Sequence, residues 1–292
     1  MRRAALLFNP RAGRHRGFRL EAIRAALERA GFDLDFQSTA GPEHCRALAR
    51  RAVEDRLDAL FVLGGDGTLR IAASALAGSP VALGALPGGT TNVVALALGL
   101  PADPVEAARR LATAEPRAFD LGRAGADDFL MQLSGGLDAR VMASVDPRLK
   151  RRIGKGAVAW AGVREWWRYR FPAFALEIDG RATEATGFVV ANLAEYAGRY
   201  RIVPGARSDD RRLDLLLFHG RRRRDALGFA LDLARGRHLA RADVEVLAFE
   251  RLRLTAPAPL VLQYDGDPFE AAPPLEVALA PERLLLLAPA RP

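Results

Sequence analysis

Cysteine, histidine and lysine are scarce in this chain of 292 residues. The single cysteine, Cys45, excludes an internal disulfide and a cysteine-rich zinc site, and it is typical of a protein from a reducing cytoplasm. Four scattered histidines do not suggest a histidine-rich metal site. Only Lys150 and Lys155 among the 43 basic residues are lysines, so arginine supplies the formal net charge of +8. This excess favours phosphate groups, nucleic acid or an anionic membrane surface as partners, although a GC-rich coding bias would produce the same composition.

Uninterrupted apolar runs of membrane-spanning length are lacking as well. The apolar start of the chain ends at Asn9-Pro10-Arg11, too early for the core of a secretion signal. No charged residue occurs between Arg70 and Asp103, but Gly78-Ser79-Pro80 and a second glycine-rich segment interrupt this stretch. It is therefore predicted to form buried helix, strand and helix rather than a membrane span, and we expect a cytoplasmic protein.

Residues 1–120 alternate strand-like and helix-like segments. A short apolar run over residues 4–8 precedes a helical pattern, residues 57–63 and 81–86 resemble buried strands, and each of these is followed by a glycine-containing loop and a helix. Such alternation predicts an α/β domain with a parallel sheet, and ligand binding at the carboxyl ends of its strands.

Residues 121–283 are richer in strand-like segments. Strands are predicted over residues 174–178, 187–191, 213–218, 244–249, 260–264 and 275–279, with helices over roughly 156–169 and 225–234. The pattern predicts a second, mostly antiparallel β domain. Periodicity does not decide whether the apolar residues near 284–292 complete that domain or return to the first one.

The segment Gly64-Gly65-Asp66-Gly67-Thr68 carries the clearest chemical signal. Glycines between a buried strand and a helix let backbone N–H groups approach an anion, and the positive end of the helix favours a phosphate there. Asp66 would repel a bare phosphate, which suggests a role in stabilising the turn or in binding magnesium. Asp265-Gly266-Asp267 is by itself typical of a hairpin turn.

Four motifs together resemble the diacylglycerol kinase catalytic-domain family, which includes sphingosine, ceramide and bacterial soluble lipid kinases. They are Asn9-Pro10-Arg11-Ala12-Gly13, the Gly64 segment, Pro87-Gly88-Gly89-Thr90-Thr91-Asn92 and Asp265-Gly266-Asp267, in this order. The resemblance covers essentially the whole chain. It implies a Rossmann-like ATP-binding first domain, a β-sandwich-like lipid-binding second domain and an active site in the cleft between them.

The resemblance also implies which residues act. The nucleotide-binding residues would be Asn9, Pro10, Arg11, Ala12, Gly13, Thr39, Gly64, Gly65, Asp66, Gly67, Thr68, Leu69, Arg70 and Thr90. Asp265 and Asp267 would be catalytic, with Asp267 as the general base that takes the proton from the lipid hydroxyl. The Asp210 carboxylate and the carbonyl groups of Arg207 and Arg212 would hold a structural Mg²⁺.

Four positions depart from the family pattern. Arg70 replaces an asparagine, Thr91 and Arg211 replace glycines, and Asp267 replaces a glutamate that is one methylene longer. A base withdrawn by about 1 Å can lose on the order of 100-fold in rate. The resemblance thus implies an ATP- and Mg²⁺-dependent lipid kinase, with a catalytically weakened lipid- or nucleotide-binding regulator and an NAD kinase-like enzyme as alternatives.

Surface features suggest the partners. Trp160, Val163 and Trp167 share one helical face, for which core packing is favoured over an interfacial membrane surface. Two basic clusters, one formed by Arg148, Lys150, Arg151, Arg152 and Lys155 and the other by four successive arginines at 221–224, would together hold the protein peripherally on anionic lipid. Nucleic-acid binding is not expected, because no motif interleaves aromatic and basic residues on a strand. A homodimer remains an open alternative.

Overall fold

The computed structural model describes residues 1–8, 17–146, 154–198, 200–255 and 259–290. The chain divides into two compact units, one formed by Met1–Leu121 with Pro281–Pro292 and the other by Gly122–Ala280. The last strand therefore belongs to the first unit. Arg148, Lys150, Arg151 and Arg152, which the sequence suggested as a membrane anchor, lie outside the described residues, as does the Asn9-Pro10-Arg11-Ala12-Gly13 motif.

The first unit is built on one six-stranded sheet. Its strands are β1 (Arg2–Phe8), β2 (Phe32–Ser38), β3 (Ala59–Gly64), β4 (Ala82–Pro87), β5 (Glu115–Phe119) and, from the end of the chain, β20 (Leu284–Ala288). Their order is β2-β1-β3-β4-β20-β5. All neighbours run parallel except β20 and β5, which are antiparallel. The expected parallel sheet is confirmed, with an antiparallel strand at one edge.

Five helices connect these strands. They are α1 (Gly17–Arg29), α2 (Pro42–Glu54), α3 (Asp66–Leu76), α4 (Val93–Ala97) and α5 (Pro104–Ala112). The two central strands, β3 and β4, are buried along their whole length, which explains their continuous apolar sequence. Ile23, Phe61 and Leu111 meet in the resulting core.

Residues 32–54 were not assigned from the sequence, yet they form β2 and α2. In β2, exposed Asp33 and Asp35 alternate with buried Phe32 and Leu34, as expected for an edge strand. In α2 the buried face consists of the small residues Cys45, Ala49 and Ala52. A face of small side chains gives a weak hydrophobic signal, so the pattern did not stand out.

The second unit contains two six-stranded sheets. One has the order β10 (Arg181–Ala185), β9 (Phe174–Ile178), β16 (Arg251–Thr255), β19 (Leu275–Leu279), β6 (Gly122–Ala124) and β7 (Asp127–Phe129). The other has the order β15 (Val244–Phe249), β14 (Leu213–Phe218), β11 (Gly187–Ala191), β8 (Gln132–Gly135), β17 (Leu260–Tyr264) and β18 (Asp267–Ala271). A short hairpin adds β12 (Glu195–Tyr196) and β13 (Tyr200–Arg201).

Every strand pairing in these two sheets is antiparallel among the residues described. One buried core takes Phe174 and Leu252 from the first sheet and Phe188 and Leu215 from the second. Side chains from two sheets that share one core make the unit a β sandwich, as expected.

Three helices accompany the sandwich: α6 (Leu137–Ser144), α7 (Lys155–Arg168) and α8 (Arg223–Ala234), with a short 3₁₀ turn at His238–Ala240. The helices predicted over residues 156–169 and 225–234 correspond to α7 and α8. No helix in the described part of the chain is long and apolar enough to cross a bilayer.

Candidate functional site

Two glycine-containing loops meet at one edge of the first unit's sheet. One connects β3 to α3 and the other connects β4 to α4. Because β3 and β4 are parallel neighbours with Gly64 opposite Pro87, both loops leave the sheet at the carboxyl ends of the strands. The Gly88 N–H donates to the Gly64 carbonyl across 3.0 Å, so the loops are joined directly through their backbones.

This contact is too close for side chains on one of the two loops. A Cβ at Gly89 would lie 2.5 Å from Gly65 Cα, and one at Gly88 would lie 2.8 Å from Gly64 N. A Cβ at Gly65, by contrast, would meet Gly89 Cα at an ordinary 3.6 Å. The glycines of the second loop are therefore required by backbone packing, whereas a Cβ at position 65 would make only an ordinary van der Waals contact.

Asp66 fixes the two loops relative to each other. Its Oδ1 accepts the Val93 N–H at 2.8 Å, at the start of α4. Burial raises the pKa of Asp66, and backbone N–H groups of Val93, Val94 and Asn92 partly offset this effect. Of the two roles suggested by the sequence, turn stabilisation is the one that these contacts support.

Asn92 closes the second loop on itself. Its Oδ1 accepts the Gly89 N–H at 2.7 Å, and its Nδ2 donates to the Gly89 carbonyl at 3.0 Å. Asn92 adopts a left-handed backbone conformation with φ of 51°, which asparagine tolerates better than most residues. Thr90 lies exposed at the tip of this closed loop.

The start of α3 offers N–H groups to a ligand. Gly65 occupies the N-cap position, and as a glycine it supplies no side chain to cap the first turn. The first N–H groups of a helix have no partners inside the helix, and the helix dipole favours an anion beside them. A phosphate group fits this position by both criteria.

Other residues expected at the nucleotide lie at the same edge of the sheet. Thr39 directly follows β2, is buried, and donates its N–H to the Phe8 carbonyl at the end of β1. Leu69 is buried inside α3, whereas Arg70 is half-buried. The structure thus brings residue 39, residues 64–70 and Thr90 to the carboxyl ends of β2, β3 and β4.

A small cavity separates the two loops. It is lined by Val62, Gly64, Asp66, Leu86 and Asn92, among others, and holds ≈ 10 Å³, which is space for about one water molecule. It is too small for a nucleotide. The space between the loops therefore does not accommodate a phosphate-bearing ligand.

In the second unit, Asp265 and Gly266 form a two-residue hairpin turn between β17 and β18. Their φ angles of 54° and 87° match a type I′ turn, and Tyr264 pairs with Asp267 on either side of it. The turn expected from the Asp-Gly pair is present. Its geometry sends the two aspartates into different environments.

Asp265 is 6% exposed and holds the backbone before β8. Its carboxylate accepts N–H groups from Leu130 at 2.7 Å, Met131 at 2.8 Å and Gln132 at 3.0 Å. Three such bonds satisfy most of a carboxylate's acceptor capacity and lock its orientation. Asp267, the first residue of β18, is half-exposed instead, so of the two candidate catalytic carboxylates it is the one open to solvent.

A polar cluster that the sequence did not reveal supports this turn. Gln263 Oε1 accepts the Gly266 N–H at 2.7 Å, and Gln263 Nε2 donates to Ser134 Oγ at 2.7 Å and to Asp138 Oδ2 at 2.9 Å. Ser134 and Tyr196 also donate hydroxyl hydrogen bonds to Asp138. In the sequence, only Gln263 could have indicated this cluster, because it is a polar residue within an otherwise apolar strand.

The loop expected to hold magnesium lies before β14. Asp210 is exposed, and its Oδ1 accepts the Arg212 N–H at 3.2 Å. The Arg207 side chain pairs with Asp209 at 3.0 Å. Arg211 has φ of 62°, a left-handed conformation that explains why glycine suits this position. Carboxylate and backbone carbonyl oxygens, which this loop contains, are the ligands that Mg²⁺ prefers.

Comparisons with known proteins connect both units to lipid kinases. The sequence profile of the diacylglycerol kinase catalytic domain matches residues 3–124. That of the YegS C-terminal NAD kinase beta sandwich-like domain matches residues 131–288, more than half of the chain.

Individual relatives agree with the profiles. A probable YegS-like lipid kinase of Pseudomonas fluorescens is 34% identical over 204 residues, which cover 67% of this chain and 67% of the relative. A probable YegS-like lipid kinase of Pseudomonas putida is 30% identical and covers 86% of this chain and 85% of its own. A diacylglycerol kinase of Bacillus subtilis is 25% identical, with 91% and 90% covered.

Solved structures support the fold. A crystal structure of a diacylglycerol kinase from Bacillus anthracis has a TM-score of 0.74 with 18% identity, covering 99% of this chain and 97% of that chain. A further structure from the same organism reaches 0.84 with 21% identity, covering 99% and 96%. The paired glycine loops and the Asp-Gly-Asp hairpin thus occur in a chain that belongs, by its profile matches and its relatives, to the diacylglycerol kinase family of lipid kinases.

Proposed function

We propose that the protein transfers the γ-phosphoryl group of ATP to the hydroxyl group of a diacylglycerol-like or long-chain lipid. The observation that carries this proposal is the pair of glycine loops at the carboxyl edge of the sheet, next to the start of α3, where a glycine occupies the N-cap position. The family provides the reaction class, a kinase, and the loop geometry supports the nucleotide as its phosphate-bearing substrate.

The nucleotide phosphates would bind to the backbone of residues 64–68. Gly65 places no side chain over the backbone of the first loop, while Asp66 and Asn92 hold both loops in place. Because hydrogen bonds within the protein fix both loops, little loop reorganisation would be needed on binding. Thr39, Arg70 and Thr90 lie at the same sheet edge and would contact the rest of the nucleotide.

Asp267 would be the general base. As the lipid hydroxyl oxygen bonds to the γ-phosphorus, Asp267 accepts the hydroxyl proton, and the bond between the γ-phosphorus and the β–γ bridging oxygen breaks to release ADP. Asp265 would act indirectly, because its carboxylate is occupied by three backbone N–H groups. It holds the turn that presents Asp267.

The proposal also includes a magnesium site in the loop before β14. Asp210, with the carbonyl groups of Arg207 and Arg212, would hold a structural Mg²⁺, and a second Mg²⁺ bound with the phosphates would neutralise their developing charge. Arg211 keeps the left-handed conformation that this loop needs, so its replacement of glycine does not prevent the loop from forming.

The test is to incubate the pure protein with ATP labelled in the γ-phosphate, Mg²⁺ and a total lipid extract, and then to identify the labelled product. We expect label in a phosphorylated lipid, and its loss in Asp267→Asn while nucleotide binding persists. Nucleotide binding without any labelled lipid, under several divalent metals, would favour a binding regulator. In a parallel incubation that contains NAD, label on NAD rather than on lipid would favour an NAD kinase-like enzyme.

A further inference from the structure

Helix α7 presents an apolar face to solvent. Trp160 is 62% exposed, Val163 55% and Trp167 58%, and the three residues share one side of the helix. The sequence favoured core packing for this stripe, and that prediction is wrong. The core-facing side of α7 is formed instead by Ala157 and Ala161, which are buried.

The exposed side of α7 also lacks acidic residues. Gly156, Ala159 and, at the end of the helix, Arg168 are the other exposed residues near the tryptophans, and Glu165, the only carboxylate of the helix, is buried and paired with Arg164. A surface helix in water normally places charged residues on its outer face. An outer face of tryptophan, valine and small residues is typical of a helix that lies in a membrane interface.

The end of α7 is fixed to the start of α8. Trp166 Nε1 donates to the Arg223 carbonyl at 2.9 Å, and Arg223 Nη2 donates to the Trp167 carbonyl at 2.5 Å. The Arg223 guanidinium also lies 5.5 Å from the centre of the Trp167 ring. These contacts place the apolar face of α7 beside the basic start of α8 as one surface, which we call the α7–α8 surface.

Arginines surround an open groove on the α7–α8 surface. The groove has a volume of ≈ 480 Å³ and is lined by Tyr169, Arg170, Phe171, Arg221, Arg222, Arg223 and Arg224. Arg168 is exposed next to it. Arg221 and Arg224 approach Glu184 and Asp225 only at 3.7 Å, so these two carboxylates neutralise a minority of the positive charge.

Helix α8 extends the apolar part of this surface. Leu227 and Leu231 follow Arg223 at intervals of four residues, so all three lie on one stripe of the helix. Both leucines are about half-exposed. The surface thus combines exposed aromatic and aliphatic side chains with an adjacent set of arginines.

We propose that the α7–α8 surface docks on an anionic lipid bilayer, with Trp160, Val163 and Trp167 inserted at the headgroup level and the arginines on lipid phosphates. Tryptophan is favoured at the membrane interface because its ring is apolar and its N–H is polar. Several arginines with few neighbouring carboxylates match a surface of phosphate groups, and each adds attraction to anionic lipid. Docking on a bilayer does not require phosphoryl transfer, so it can be tested independently of the proposed function.

Tryptophan fluorescence tests the proposal directly, because all three tryptophans of the protein lie in α7. Vesicles of phosphatidylcholine with 30 mole per cent phosphatidylglycerol are added to the full chain, with pure phosphatidylcholine vesicles as the comparison. We expect a blue shift and quenching by brominated acyl chains with the anionic vesicles. Raising salt from 0.1 M to 1 M should weaken binding, because the Debye length falls from about 10 Å to about 3 Å.

Two variants, each with a matched control, separate the contribution of the inserted tryptophans from that of the arginine charges. Trp160→Ala with Trp167→Ala should raise the lipid concentration needed for half-maximal binding by about ten-fold or more, whereas Leu239→Ala with Val246→Ala, at exposed apolar residues outside α7 and α8, should leave it unchanged. Arg168→Gln with Arg170→Gln should raise it by about five-fold per arginine. Arg29→Gln with Arg50→Gln, which removes the same charge from the first unit, should have little effect.

Several results would overturn the proposal. Binding to anionic vesicles without a blue shift, or equal losses in the α7 variants and their controls, would place the membrane contact elsewhere. A dimer that dissociates in the Trp160→Ala, Trp167→Ala variant, without vesicle binding by the wild type, would show that a second copy covers this surface. Vesicle binding by a protein that phosphorylates no lipid would support the docking surface and contradict the proposed function alone.

Discussion

Gln263 Nε2 lies 2.9 Å from Asp138 Oδ2, a contact that joins strand β17 to helix α6 directly behind the Asp265-Gly266 turn. The same Gln263 side chain accepts the Gly266 N–H through Oε1. One amide group therefore couples the backbone of the turn to a carboxylate that also receives hydrogen bonds from Ser134 and Tyr196. The position of Asp267, one residue beyond Gly266, depends on this cluster.

Gln263→Leu should lower the free energy of unfolding by about 2–3 kcal/mol, because it leaves the Gly266 N–H without its partner and removes one hydrogen-bond donor each from Asp138 and Ser134. Chemical denaturation measures this loss. Gln263→Glu is the informative companion, since a second carboxylate beside Asp138 is tolerated only while one of them is protonated. Its stability deficit should grow as the pH rises from 4 to about 7. Equal deficits at both pH values would contradict the assigned contact.

Asp265 and Asp267 should respond differently to the same substitution. Asp265→Asn gives three backbone N–H groups a side chain with a single acceptor oxygen, so we expect it to cost about 2–4 kcal/mol of stability. Asp267→Asn should leave unfolding nearly unchanged and lower turnover by about 100-fold or more. Thermal unfolding and a lipid phosphorylation assay measure the two effects. A stable Asp265→Asn protein, or a fully active Asp267→Asn protein, would refute the division of roles.

Gly89→Ala and Gly65→Ala form a second matched pair. The new Cβ at position 89 would lie 2.5 Å from Gly65 Cα, so backbone must shift, and the expected loss is about 1–3 kcal/mol. The new Cβ at position 65 would be 3.6 Å from Gly89 Cα, at a φ of −87° that alanine adopts freely, so the change should stay within about 1 kcal/mol. Equal losses in the two variants would contradict the packing of the loops.

Stability in alkaline solution should depend on Tyr196. Burial, the charge of Asp138 and the hydrogen bond to it raise the pKa of Tyr196 well above 10. The unfolded chain therefore ionises this tyrosine first, and stability should fall as the pH rises above about 10. Burial also raises the pKa of Tyr169, to about 12, so a smaller decline of the same sign should persist in Tyr196→Phe.

Denaturation of the wild type and of Tyr196→Phe between pH 8 and 11 checks this prediction. At pH 8 the free energy of unfolding of the variant should be lower by about 1–2 kcal/mol, because Asp138 loses a hydrogen-bond donor. As the pH rises, this free energy should then decline less steeply than that of the wild type. Parallel curves would show that the Tyr196 hydroxyl does not contact Asp138.

The sequence predicted the features that depend on neighbouring residues along the chain. Continuous apolar runs identified β3 and β4, because strands buried on both faces need apolar residues at every position. Alternating patterns located most strands of the second unit, and the glycine and Asp-Gly motifs identified loops whose chemistry is local.

The tertiary structure decided the features that depend on distant neighbours. Asp265 and Asp267 are two residues apart, yet only the arrival of residues 130–132 makes one of them a buried anchor. The tryptophans of α7 fit a core pattern, and only the packing of Ala157 and Ala161 turns them outward. Helical periodicity shows which side chains share a face, but burial depends on what packs against that face, and residues far along the chain supply those contacts.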